Sequence, residues 1–253
     1  MREVSIKQID IDSGKSEVKT DTVAEERPIA LYVNLRHHVT LLCSPTELKE
    51  LAVGHVLSEG VAKSVDEIED VRVSLEEGAC YVKLVKGTPT EDETPKPKSS
   101  RVSDRAKQKT VRIRKVESNM RVKAKTLYEC VQWLNTEAKV FRKTGGTHAA
   151  ALFTEDGAMV AFFEDVGRHN AVDKVIGKAA LNKIRLGRCF LVLSGRLTGE
   201  IVFKAMQTGL PLAGSLAAAT DWGIAVADEA GITLAGFVRK GRMNIYTHPE
   251  RIR

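Results

Sequence analysis

The four cysteines, Cys43, Cys80, Cys130 and Cys189, stand far apart and form no C-x-x-C pair. That spacing argues against a structural zinc site, an iron–sulfur cluster and a disulfide-stapled secreted scaffold. Long apolar runs are missing too. None approaches the roughly 18 residues that cross a bilayer, and the opening MREVSIKQIDIDSGK alternates charged and apolar residues without an export-signal core. Neither membrane insertion nor export is expected, and the expected compartment is cytoplasmic. The common nucleotide fingerprints are absent: Gly177-Lys178 is followed by alanine and lacks the upstream glycine of a P-loop, and no GxGxxG occurs. There is no P-C-x-x-C to supply the thiolates of a zinc deaminase, and no Gly-x-Ser-x-Gly elbow around a nucleophilic serine. His148 and His169 have no metal-ligand spacing, so no metal site is expected.

What is present is an ordinary folding composition. The chain has 253 residues, 43% hydrophobic and 28% charged, enough to bury a substantial core as one large domain or two small ones. Its net charge of +6 is concentrated: Lys86 to Lys125 holds 13 Lys and Arg against five acids, leaving 26 bases and 28 acids elsewhere. Inside that segment, Thr88 to Lys109 has three prolines and almost no apolar side chain. It reads as a mobile loop that docks near a pocket only with an anionic cofactor or acidic protein partner. It has no interleaved aromatics for base stacking, so nucleic acid is not an expected partner.

Three regions follow: a strand-rich subdomain over 1–85, the basic loop or linker over 86–125, and an α/β core over 126–253 that carries the pocket. In the first, EVSIKQIDI, Pro28 to Val33 and VTLLCS read as strands of a small sheet. Ser44-Pro45-Thr46-Glu47 has the form of a capping box, which predicts a helix with Ser44 as N-cap and Pro45 in its first turn. Its buried stripe is Leu48, Leu51, Ala52, His55 and Val56, and Gly60 ends it; VRVSL and CYVKLV read as a hairpin. In the core region, helices are expected over 126–139 and Asn170 to Lys183, through Met206 and through Val226. They alternate with strands at THAAALFT, MVAFFE, CFLVLS, PLAGS, ITLAGF and NIYT, the pattern of a mixed sheet covered by helices.

Four polar, glycine-bearing clusters punctuate this half: Lys143 to His148, Glu164 to Asn170, Ser194-Gly195-Arg196, and Phe237 to Asn244. Strand ends of this kind are where open α/β sheets take ligands. Helix N-termini and guanidinium groups both suit phosphate, so Arg168, Arg196, Arg239 and Arg242 are candidates to hold a polyphosphate; the alternative is a set of exposed turns with solvated basic side chains. Among the cysteines, Cys43, Cys130 and Cys189 read as buried structural residues, and Cys80, beside Gly78 and Ala79, as the most accessible.

RPIALYVN, LLCSPTELKELAVGHVLSEG, KTGGTHAAAL, FEDVGRHNAVDKVIG, LSGRLTGEIVFKA, GITLAGFVR and RMNIYTH, in that order from Arg27 to His248, resemble the FdhD/NarQ family of formate dehydrogenase accessory sulfurtransferases. The resemblance implies an α+β fold with a zinc-free, cytidine-deaminase-like mixed-sheet core, and a cytoplasmic homodimer. It implies an activity in which persulfide sulfur from a cysteine desulfurase passes to the molybdenum (or tungsten) bis(guanine dinucleotide) cofactor destined for formate dehydrogenase. On that basis Phe237, Val238, Arg239, Lys240, Gly241 and Arg242 are expected to contact guanine nucleotide. Ser194, Gly195, Arg196, Arg168, His169 and His148 assist, and GDP serves as a mimic of half the cofactor. The chain departs from the family where the sulfur would be carried: the C-x-x-C cysteine positions fall on Arg101 and Asp104, leaving no catalytic residue assigned. The other reading that follows is a cofactor-binding chaperone without sulfur transfer.

Overall fold

The fold comes from a computed structural model that describes residues 1–85 and 113–253. The expected mobile loop Thr88 to Lys109, with Arg101 and Asp104, lies outside the described residues. At the centre is β9 (Cys189–Leu193), buried at all five positions, the uninterrupted apolar run of an inner strand covered on both faces. It pairs in parallel with β10 (Leu212–Ser215), which pairs in parallel with β11 (Thr233–Arg239). β12 (Arg242–Thr247) closes that side antiparallel. On the other side β7 (His148–Thr154) and β8 (Met159–Asp165) continue antiparallel, for a six-stranded order β12-β11-β10-β9-β7-β8. The mixed sheet with helices on both faces agrees with the expected α+β class.

Helix α2 (Ala124–Glu137) covers one face through Leu127, Cys130, Val131 and Leu134; the short α3 (Lys139–Thr144) follows it. The other face is covered by α4 (Arg168–Leu181), α5 (Gly199–Thr208) and α6 (Asp221–Ala230). Helix α1 (Leu48–Ser58) lies across α4. Beneath it is a second sheet, ordered β4-β3-β6-β5, from β3 (Arg27–Val33), β4 (Arg36–Cys43), β5 (Ile68–Ser74) and β6 (Ala79–Leu84). One continuous apolar core joins this sheet to α1, α4, α5 and α6. No helix among the described residues is long and apolar enough to cross a membrane.

Several local expectations change. The first strand, β1 (Arg2–Ile9), does not join the small sheet; it pairs only with β2 (Ser16–Val23), as a separate ribbon. The capping box does not form: α1 starts at Leu48, and Glu47 before it has a left-handed φ of 48° with no side-chain cap. Ser44 and Thr46 are instead engaged by distant partners. Ser44 N–H donates to Asp165 (3.1 Å), its hydroxyl accepts from Val166 N–H (3.2 Å), and its carbonyl and Thr46 Oγ1 accept from Lys174 Nζ. Lys174 is fully buried and forms an ion pair with Asp165 at 2.8 Å.

The crossing of α1 and α4 is backbone to backbone. A methyl on Gly54 would fall 1.7 Å from the Asp173 carbonyl oxygen, and one on Gly177 would fall 1.9 Å from that of Glu50. Beside this contact sits a second buried charge pair. Asp173 accepts from Lys204 Nζ with both oxygens (2.9 Å), from Ser58 Oγ (2.6 Å) and from His55 Nδ1 (3.1 Å). Lys204 also reaches Glu59 at 2.7 Å. Burial is the largest influence on Asp173 and pushes its pKa up, yet Lys204, His55 and Ser58 together hold it at about 2.

Candidate functional site

The carboxyl ends of β9, β10 and β11 lie at one edge of the sheet, together with the start of β7 and the end of β8, because β7 runs antiparallel to β9. This brings three of the four sequence clusters together. Ser194 accepts a hydrogen bond from Ala149 N–H (3.0 Å) and lies 3.4 Å from His148 Nδ1. The next residue, Gly195, packs closely on the site: a methyl there would come 3.2 Å from Arg168 Cβ and 3.6 Å from His148 Nδ1. Ser215 at the end of β10 donates to the Gly195 carbonyl (2.6 Å), and Leu197 pairs with Ala219, so the loops after β9 and β10 hold each other in place.

Two helices begin here. Gly167 precedes α4 and Thr198 precedes α5, and neither makes a side-chain cap bond. The first N–H groups of both helices therefore add positive potential at the strand ends. Arg168 and His169 are the first two residues of α4. Among the described residues, the buried Arg168 Nε has no hydrogen-bond partner, and neither has Thr198 Oγ1. Burial, then the neighbouring Arg196, lowers the Arg168 pKa; Glu200 opposes the shift. Burial also lowers that of His148, reinforced by Arg168, His169 and Arg196, so its imidazole is biased toward the neutral form. Glu200 is the balancing acid. Its oxygen stands 3.0 Å from His169 Nε2, an ion-pair distance out of line for a hydrogen bond. That contact leads the influences lowering its pKa. Buried polar atoms without partners among the described residues, neighbouring guanidinium groups and two uncapped helix starts have the chemistry that suits an anion.

The fourth cluster sits differently. Phe237 joins the strand-end loops, its N–H donating to the Ala217 carbonyl at 2.9 Å. Its φ is 51°, a strained value for a residue with a side chain, and Arg239 lies 5.2 Å over its ring. Val238 points into the core and is fully buried; its carbonyl accepts from Gln132. Lys240 and Gly241 are both left-handed and form a tight hairpin turn between β11 and β12. No helix follows, contrary to the strand-then-helix reading, and Gly241 N–H meets Tyr128 on α2 at 3.3 Å. Arg242 is exposed beyond the turn. The first cluster also lies between a helix and a strand, with Glu164 binding the N–H groups of Val140 and Phe141 and the Thr147 hydroxyl. Thr198, Glu200 and Ser215 were absent from the sequence-based site. The Thr-Gly-Glu run after Arg196, a hydroxyl before a helix start, is the signal that could have found the first two.

All four cysteines are buried, and the expected accessibility of Cys80 is not met. Cys80 is 2% exposed on β6 and its thiol donates to the Leu48 carbonyl at 3.7 Å. Burial pushes the Cys80 and Cys189 thiols up to about 11, and those of Cys43 and Cys130 to about 12.

Fold and site together describe a mixed α+β protein with a cluster of basic and polar side chains at the strand ends of its central sheet. The sequence model of the FdhD/NarQ family matches residues 24–253. A "Sulfur carrier protein FdhD" from Saccharolobus solfataricus is 37% identical over 238 residues, 92% of this chain and 91% of that one. Another protein of that name, from Sulfurisphaera tokodaii, is 36% identical over 252 residues, 98% of each chain. The chain belongs to the FdhD/NarQ family. A crystal structure of a provisionally assigned formate dehydrogenase accessory protein from Desulfotalea psychrophila has the same fold, with a TM-score of 0.79, 24% identity and 99% coverage of both chains.

Proposed function

We propose that the chain serves formate dehydrogenase as an accessory protein that holds the phosphates of the molybdenum (or tungsten) bis(guanine dinucleotide) cofactor at this strand-end site. The observation that carries the reading is the pair of buried, partnerless atoms, Arg168 Nε and Thr198 Oγ1, set at two uncapped helix N-termini. The cofactor is cargo, and its metal supplies redox chemistry to the client enzyme. Arg168 and Arg196 donate to phosphate oxygens, the Thr198 hydroxyl supplies a further donor, and Glu200 keeps His169 in place. The family resemblance supports formate dehydrogenase as the client and a cytoplasmic homodimer.

The relatives' common name, sulfur carrier, favours a second reading in which sulfur from a cysteine desulfurase passes through this chain. Against it stand four buried thiols, since the thiolate is the nucleophile and these are held far above neutral. We therefore place cofactor holding first.

Calorimetry with GDP tests the first reading: Arg168→Ala is expected to weaken binding about tenfold or more, and an unchanged affinity overturns it. For the second, incubation with a desulfurase and cysteine is expected to leave the intact mass unaltered; a gain of about 32 Da on one cysteine restores the sulfur-carrier reading.

A further inference from the structure

The two tryptophans have opposite surroundings. Trp133 is enclosed edge-on by Phe153 and Phe162, whereas Trp222, the second residue of α6, is 39% exposed. Part of its ring rests on α5. A methyl at Gly199 would fall 2.1 to 2.6 Å from three ring atoms, and Phe203, one turn further along, lies 5.5 Å away. Gly223, the next residue of α6, packs against the same segment, where a methyl would meet the Leu197 carbonyl at 2.4 Å. The indole is thus fixed on the first turn of the helix whose N-terminus faces the anion site. Gly199 is three positions after Arg196, at most about 10 Å along the chain. An aromatic ring pinned on one side and open on the other is a shelf for a planar base. Phe237, also near the strand ends, has Arg239 over its ring.

We propose that Trp222 is the base-stacking residue of this site: a nucleotide whose phosphates engage Arg168, Arg196 and Thr198 lays its purine on the open side of the indole. The inference rests on the phosphate-holding reading above and adds recognition of the base, which the arginines do not provide. It makes the site selective for nucleoside diphosphates over pyrophosphate.

Titrating GDP and pyrophosphate into wild type, Trp222→Leu, Trp222→Phe and Arg168→Ala separates the two claims. Trp222→Leu is expected to weaken GDP about tenfold while leaving pyrophosphate unchanged, and Trp222→Phe to retain most of the GDP affinity. In a Trp133→Phe background, which leaves Trp222 as the sole tryptophan, GDP is expected to quench the tryptophan emission and pyrophosphate is not. Unchanged GDP affinity in Trp222→Leu, or an equal loss for both ligands, overturns the stacking role, as does fluorescence indifferent to GDP. If Arg168→Ala weakens neither ligand, the phosphate-holding reading fails and the inference falls with it.

Discussion

Asp173 and Lys204 are deeply buried where α1, α4 and α5 meet, and each of their charged atoms has partners. Arg168 starts the same helix as Asp173, and Thr198 precedes the same helix as Lys204, yet each keeps a buried atom with none. The satisfied pair lies in the middle of α4 and α5, and the open pair a turn or two away where the same helices begin. The inner pair fixes how the helices cross; the outer pair keeps polar atoms that no described residue satisfies.

The comparison can be broken most severely from the inside. Lys204→Met strands a buried carboxylate and is expected to cost about 3–5 kcal/mol. Adding Asp173→Leu should recover much of that loss in a double-mutant cycle by denaturant unfolding; no recovery would mean that the pairing is not what the variant lost. Acid gives a smaller effect. Asp173 is held at about 2, below a carboxylate's ordinary 3.8, so the stability it adds is present above pH about 4 and lost as pH falls through that window toward 2. This amounts to about 2 kcal/mol, and Asp173→Asn should remove that part of the acid sensitivity. The smallest effect on stability belongs to the site. Gly195→Ala presses a methyl on Arg168 and His148 and is expected to change stability by less than about 1 kcal/mol. GDP affinity, measured by calorimetry, should fall several-fold; a large loss of stability with normal binding would reverse the contrast.

Much of the architecture could be read from periodicity, because buried runs such as CFLVL and the Leu127-Cys130-Val131-Leu134 stripe carry their surroundings in their own pattern. The capping box could not be read correctly. Its serine and threonine are engaged by Asp165, Val166 and Lys174, more than a hundred residues away, and no local rule contains that competition. The segment EDVGRHNAVDKVIG reads as a single block, yet folding divides it. Arg168 and His169 face the site, Asp165, Asn170, Asp173 and Lys174 are bonded inside, and Gly177 allows the helices to touch. The site was legible where glycine and arginine mark strand ends, as at Ser194-Gly195-Arg196. Thr198 was passed over because its only signal is a hydroxyl before a helix start, with neither arginine nor glycine at the position itself.

The crossing at Gly54 and Gly177 also has a consequence for biosynthesis. His55 and Asp173 are 118 residues apart in the chain, so α1 leaves the ribosome long before the helix it must touch. At roughly 5–20 residues per second, that interval is about 6–24 s. Throughout it, Leu51, Val53 and Val56 have no α4 to pack on, and the nascent chain must keep this apolar surface from sticking to anything else until its own second half arrives.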